Sequence, residues 1–148
     1  MKKYIAYHWS RNDDCLGYGD GRQIVLGETL SVAGTPKLCH HGLHGSVSVV
    51  DALGYASGSH LWLVEISGRI QTSDDKICGL HRKAIIEYGD LLPIIVEFAF
   101  WCSSRAAESA KYAKYAAEYS KYAAESAECE KLAQEDWWME KLQQIKGE

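Results

Sequence analysis

Hydrophobic and polar positions follow two patterns along the chain, and the change between them falls near residue 90. Before that point, short apolar runs alternate with glycine-rich segments, a pattern typical of strands and turns. After it, the stretch from Leu91 to Ile145 contains no glycine and one proline, and its apolar residues recur at helical spacing. The sequence therefore predicts an α+β protein, with a small mixed-sheet domain over residues 1–90 and a long helical extension over residues 91–148.

The first domain is expected to contain short strands and one internal helix. Strands are predicted over residues 4–9, 23–26, 30–32, 60–66, 69–71 and 83–88, with a loop rich in glycine and aspartate over 11–22. The helix is predicted to run from an N-cap at Ser46 to about Ala56, because Gly58 follows it in a position that favours glycine. Asp90 is placed to cap the long helix, and Pro93 is tolerated in its first turn.

The long helix carries two stripes of side chains. Four tyrosines recur at spacings of 3, 4 and 3, as in a heptad repeat, and alanines mark a neighbouring face. An unbroken helix of this length would span roughly 80 Å, whereas the first domain would measure only about 25–30 Å across. The helix is therefore expected to project as a continuous rod, to bend, to fold into a hairpin, or to pair with a second copy in a homodimer.

Aromatic side chains of the helical extension are the predicted partner-binding residues. Tyrosine and tryptophan contribute most to the energetics of protein interfaces. Two interpretations stay open: these rings pack within the protein or in a homodimer, or they dock onto another protein. The residues concerned are Tyr112, Tyr115, Tyr119, Tyr122, Trp137 and Trp138.

Charge and composition narrow the classes of partner. Residues 1–89 carry nine basic and nine acidic side chains, whereas residues 90–148 carry seven and eleven, which accounts for the net charge of −4. The acidic surface disfavours direct binding of nucleic acid and favours a protein partner with a basic surface. No apolar run reaches the roughly 18 residues of a membrane span. The five scattered cysteines are typical of reduced thiols, so a cytoplasmic location is expected.

The densest group of potential metal ligands lies in the first domain. Two thiolates and two imidazoles can bind zinc, but the spacing here departs from a strong zinc signature. A cysteine nucleophile at Cys39 would have no residue to orient its histidine. We therefore expect no cofactor, with zinc as an alternative. The candidate zinc ligands are Cys39, His44, Cys78 and His81, with His41 as an alternative to His44.

A first resemblance extends over most of the chain. It rests on Gly42-Leu43-His44, on Asp51-Ala52-Leu53-x-Tyr55-Ala56, on Val64-Glu65-Ile66-Ser67-Gly68, and on the alanine-rich helix with aromatic residues from Ala106 onward. In these motifs the chain resembles an uncharacterised family of small bacteriophage and prophage proteins. The resemblance implies a phage accessory protein, and genes of that kind frequently counter host defences.

A second resemblance is to the ADP-ribosyltransferase fold, and it rests on Tyr7-His8-Trp9-Ser10 and on Gly42-Leu43-His44 leading into a helix. It implies His8 and His44 as candidate catalytic residues, although His44 stands where that family usually has a tyrosine. It implies His8, His44 and Tyr55 as candidate binding residues for NAD or a related nucleotide. Glu87 is the one candidate for the family's catalytic glutamate.

Three hypotheses of function follow. The first is a phage-encoded protein that binds and inhibits a host protein without catalysis. The host protein would be a component of a bacterial defence system, as for anti-CRISPR proteins. The second is an ADP-ribosyltransferase-like domain that binds or uses a nucleotide. The third is a structural protein that dimerises through its helix.

Overall fold

The computed structural model describes residues 2–17, 20–110 and 120–147, with the side chains of 108–129 and of residue 147 excepted. The chain divides into two compact units, Met1–Leu91 and Leu92–Glu148. The first unit consists of a β-sheet with one short helix, and the second unit is helical. The predicted α+β class is therefore confirmed.

The first unit is built on an antiparallel sheet, which has five strands within the described residues. Its centre is a long hairpin of β4 and β5, with β1 on the outer edge of β4 and with β2 and β3 on the outer edge of β5. The strands are β1 (Tyr4–Ser10), β2 (Thr29–Ser31), β3 (Leu43–Gly45), β4 (His60–Thr72) and β5 (Ile77–Asp90), and a short helix α1 (Val49–Leu53) follows β3.

The sheet curls until its two edges meet. After β3 leaves β5, Ser46 pairs with Tyr7 of β1, through N–H to carbonyl hydrogen bonds of 2.7 and 3.0 Å. The pairing therefore runs in a ring from β1 through β4, β5 and β3 back to β1. Glycine permits the close approach inside this ring, since a Cβ on Gly45 would lie 3.0 Å from the Cβ of Ala6.

The concave face of the sheet holds the core of the first unit. Alternate residues of β4 face it, as the two-residue period of a strand requires. Trp62 lies at one end of this row, and its indole nitrogen donates a 3.0 Å hydrogen bond to Oγ of Ser10. The core residues are Ala6, Ile24, Trp62, Val64, Ile66, Ile77 and Ala84.

Several predicted boundaries in this unit are wrong. The helix begins at Val49 after an N-cap at Ser48, whose hydroxyl accepts from the backbone of Asp51 at 3.2 Å, and ends at Leu53. Ser46 instead joins the strands. Residues 23–26 form no strand, because Gln23 makes only an isolated bridge. The predicted strand over 83–88 begins six residues earlier, at Ile77.

The second unit is a helical hairpin. Its helices are α2 (Leu92–Ala110) and α3 (Ser120–Gly147), and residues 111–119 lie outside the described part of the chain. Lys141 Nζ lies 2.9 Å from a carboxylate oxygen of Glu97, and Arg105 pairs with Glu130 at 2.9 Å. These two contacts require the helices to run antiparallel. The hairpin alternative is therefore the correct one, and a single continuous rod is wrong.

Aromatic rings fill the space between the two helices. The ring of Phe98 lies 5.2 Å from that of Trp137 and 5.4 Å from that of Trp138. Trp138 is completely buried, while Trp137 is partly exposed and also contacts Trp101. The ring of Trp138 is therefore not exposed in this structure, and its predicted role in binding a partner stays a prediction. No described helix combines the length and apolar character needed to cross a membrane.

The other predicted partner-binding residues cannot be placed in the same way. Tyr112, Tyr115 and Tyr119 lie outside the described residues, and so does the side chain of Tyr122. The tyrosine repeat stays a prediction.

We expect Gly79→Ala to destabilise the first unit by about 1–3 kcal/mol, because an added methyl group overpacks the sheet. A Cβ at this position would lie 2.5 Å from Cγ2 of Ile66 and 2.9 Å from the backbone oxygen of Ser67. Urea unfolding measures the change. Gly17→Ala is the matched control, since a Cβ there meets no atom of the described residues within 4 Å apart from its chain neighbours. Equal stability of the two variants would contradict the predicted close approach.

Trp138→Ala should destabilise the hairpin by about 3–5 kcal/mol, because it removes a fully buried ring and leaves a cavity. This unfolding is measured as the loss of the helical circular dichroism signal with increasing urea concentration. Leu132→Ala, at a position that is 61% exposed, serves as control and should change stability by less than about 0.5 kcal/mol. A Trp138 variant as stable as this control would show that the ring is not part of the hairpin core.

Candidate functional site

The first unit contains a cavity of about 590 Å³ that is partly open to solvent. Small-molecule sites in proteins typically occupy roughly 300–1,000 Å³, so this cavity has the size of a ligand site. Its wall comes from β1, β3, β5 and α1 together with residues 15–17, 20 and 39–42. The closure of the sheet at Ser46 brings these segments together.

Arg82 is the buried charge of the cavity wall. It lies on β5 next to Ile66 of β4 and is only 4% exposed, because the strand alternation turns it to the concave face. Its Nη1 donates to the carbonyl of His44 at 2.8 Å, while Nη2 has no hydrogen-bond partner among the described residues. Burial lowers the pKa of Arg82 to about 10, so the guanidinium remains charged at neutral pH.

Two histidines lie close to this guanidinium. Burial and then the charges of Arg82 and His44 hold the pKa of His8 well below its usual range. Burial, followed by the charges of Lys76 and Arg82, lowers the pKa of His44 to about 4. Both imidazoles are therefore neutral at pH 7. The backbone N–H of Cys39 donates to Nε2 of His44 at 3.2 Å, so Nδ1 of that ring carries the hydrogen.

A second polar group forms the more exposed part of the lining. Tyr55 is 49% exposed, and its hydroxyl donates to Asp75 at 2.5 Å, which raises the pKa of Tyr55 to about 12. Lys76 Nζ lies 3.8 Å above the tyrosine ring and 3.2 Å from Sγ of Cys39. The ammonium group is thus held by an aromatic face and a sulfur atom.

The structure brings together the three residues that the second resemblance singled out. His8, His44 and Tyr55 all line this one cavity. Glu87, the candidate catalytic glutamate, is not in the lining. Its carboxylate lies 2.9 Å from Nε2 of His60, while the other ring nitrogen lies 3.1 Å from Asp14. The assignment of Glu87 to this site is therefore wrong.

The candidate zinc ligands do not converge. Sγ of Cys78 donates to the carbonyl of His41 at 3.0 Å, and Nδ1 of His81 lies 2.8 Å from the hydroxyl of Ser31. Among the described residues, the one group of three potential ligands within 4.8 Å of each other is Asp14, His60 and Glu87. Both nitrogens of that imidazole already face a carboxylate. The arrangement therefore fits a buttressed histidine better than a metal centre.

Arg82 is the residue that the sequence analysis missed. The strand predicted over 83–88 begins one residue after Arg82, so the sequence pattern assigns Arg82 to no element. If the alternation along β5 is followed back from Ala84, Arg82 falls on the apolar face and Lys83 on the exposed one. A charge on the apolar side of a strand was the signal that could have identified it.

The fold defines an α+β protein of two compact units, the first of which carries the cavity. Residues 6–91 match the family described as a domain of unknown function, DUF7666, and the chain belongs to that family. The matched range contains every residue of the cavity lining and stops before the helical hairpin. No curated protein and no solved structure matches the chain.

We expect the two lowered histidine pKa values to make stability fall in mild acid. The folded state favours the neutral imidazoles. The free energy of unfolding is therefore highest above the usual histidine pKa of 6.5 and decreases as the pH falls toward about 4. Urea unfolding at a series of pH values above about 4.5, where most carboxylates are still ionised, measures this slope. The double variant His8→Asn, His44→Asn should lose most of the slope, whereas His40→Asn in an exposed turn should keep it. An unchanged slope in the double variant would contradict the assignment.

Proposed function

We propose that the DUF7666 unit binds a small organic ligand that carries an oxyanion, and that this ligand occupies the cavity beside Arg82. The observation that carries the proposal is the buried guanidinium nitrogen, Nη2 of Arg82, which has no hydrogen-bond partner in the described residues. An oxyanion is the natural partner of a guanidinium, which matches carboxylate and phosphate groups in geometry and charge.

Burial of Arg82 without a bound anion costs the protein free energy of folding. A buried charge without a counter-charge costs several kcal/mol, and an apolar residue of similar volume often improves stability. The four charged side chains of the described lining include one acid, Asp20, but its carboxylate is held by Arg22 at 2.8 and 2.9 Å. A ligand that supplies a negative charge would offset the cost, so selection for binding gives a reason to keep Arg82.

This proposal retains part of the nucleotide hypothesis. A nucleotide phosphate is one oxyanion that the cavity could accept, and His8, His44 and Tyr55 are in the lining. ADP-ribosyl transfer gains no support, because Glu87 lies away from the cavity. We therefore propose binding and not transfer.

Inhibition of a host protein by a phage protein stays a prediction, as do dimerisation through the helix and a cytoplasmic location. Of the residues behind the docking hypothesis, Trp138 is buried and the tyrosine side chains lie outside the described part. Trp137 is the remaining candidate for contact with a partner.

The direct test is a titration of the full chain with acetate and with dimethyl phosphate, two monovalent organic oxyanions, followed by NMR of the backbone amides. Chloride at the same ionic strength serves as the reference. We expect saturable changes at β3 and β5 around Arg82 and His44, and no such change in Arg82→Met. The matched control is Arg69→Met, an exposed arginine on β4 outside the cavity, which should bind as the natural chain does.

Arg82→Met should unfold at the same urea concentration as the ligand-free natural chain or higher, because it removes an uncompensated buried charge. If this variant does not fold, Arg82→Lys keeps the charge without the planar fork and should bind more weakly. The absence of any saturable change with either anion would overturn the proposal, and so would binding that persists without the guanidinium.

A further inference from the structure

The charges around the cavity restrict the kind of anion that it can accept. Four lining residues in the described part carry a formal charge, and of these only Arg82 is more than nine-tenths buried. Arg11 is exposed and pairs with Asp13 at 2.8 Å, and Asp20 is held by Arg22. Lys76 belongs to the outer group with Tyr55 and Cys39. The buried part of the cavity therefore presents one positive charge.

The two histidines add hydrogen-bonding capacity without adding charge. Each neutral imidazole offers one N–H donor and one acceptor. In His44, Nε2 accepts from the N–H of Cys39 and the ring also makes a hydrogen bond with the backbone of Gly42, so this imidazole has both of its nitrogens engaged. Arg82 and the imidazole of His8 can therefore contact an oxyanion, while the charge that they neutralise remains a single unit.

Apolar side chains form part of the remaining buried wall, beside the buried residues Ser10 and Ser46. Leu43 and Ala52 are buried, at 5% and 4% exposure, and they contribute to the lining together with Leu16 and Val32. Such a wall suits the carbon skeleton of an organic ligand and offers little to a hydrated inorganic ion. The volume of about 590 Å³ leaves room for that skeleton beside the anionic group.

We infer that the ligand of this cavity carries one monovalent oxyanion, a carboxylate or a phosphodiester, on a mainly apolar body. This inference rests on the proposed function and specifies its ligand class. A phosphate monoester carries close to two negative charges at neutral pH, because its second pKa is about 6. Its second charge would be left uncompensated beside the single guanidinium, in a place where unpaired charge is costly.

The experiment compares four probes that share a phenyl group, using the full chain at pH 7.5 and NMR of the amides around Arg82 and His44. Phenylacetate and methyl phenyl phosphate are monovalent, phenyl phosphate is mainly divalent, and phenylacetamide is neutral. We expect at least one monovalent probe to bind about tenfold more tightly than phenyl phosphate, and phenylacetamide to bind weakest. The better of the two monovalent probes distinguishes a carboxylate from a phosphodiester.

A repeat at pH 5.5 provides an internal control, since phenyl phosphate then becomes mainly monovalent. The difference between it and methyl phenyl phosphate should shrink. Phenyl phosphate that binds as tightly as the monovalent probes at pH 7.5, or more tightly, would overturn the inference and leave the proposed function standing. Phenylacetamide that binds as tightly as the anions, or four probes that leave these amides unperturbed, would overturn both. The same comparison in Arg82→Met should show no preference for anions.

Discussion

The backbone pairing of Ser46 with Tyr7 is the contact on which the first unit depends. Without it, β3 would end as a short appendage on the edge of β5, and the concave face of the sheet would stay open. With it, residues from β1, β3 and β5 lie around one cavity. Gly45 makes the closure sterically feasible, because a Cβ there would lie 3.0 Å from the Cβ of Ala6 and 3.2 Å from the backbone oxygen of Tyr7.

Closure of the sheet also sets the electrostatics of the cavity. Arg82 is buried because it is on the concave face, and its charge acts on the imidazoles of His8 and His44 from there. The three side chains come from strands that are far apart in sequence. If all three were charged, their positive charges would repel each other. The protein resolves this conflict by keeping the histidines neutral. An anionic ligand would resolve it further, and this is the physical link between the fold and the function that we propose.

The helical unit is governed by a different constraint. Its helices carry aromatic residues that a single helix could not shield from water, and the hairpin packs Phe98, Trp137 and Trp138 against each other. Burial of Trp138 removes part of the reason to expect a partner on this surface. The DUF7666 match ends at residue 91, so the family relationship concerns the unit with the cavity.

The sequence by itself determined the α+β class, the division near residue 90, and the strands around Tyr4–Trp9 and His60–Ile66. Local signals carry these features, because strand alternation, helical spacing and glycine content act over a few residues. Only the tertiary structure decided that Ser46 joins two strands, that the long helix turns back on itself, and that Arg82 lies in the wall beside both histidines. Each of these depends on pairing between segments distant in sequence, whose register no local pattern specifies.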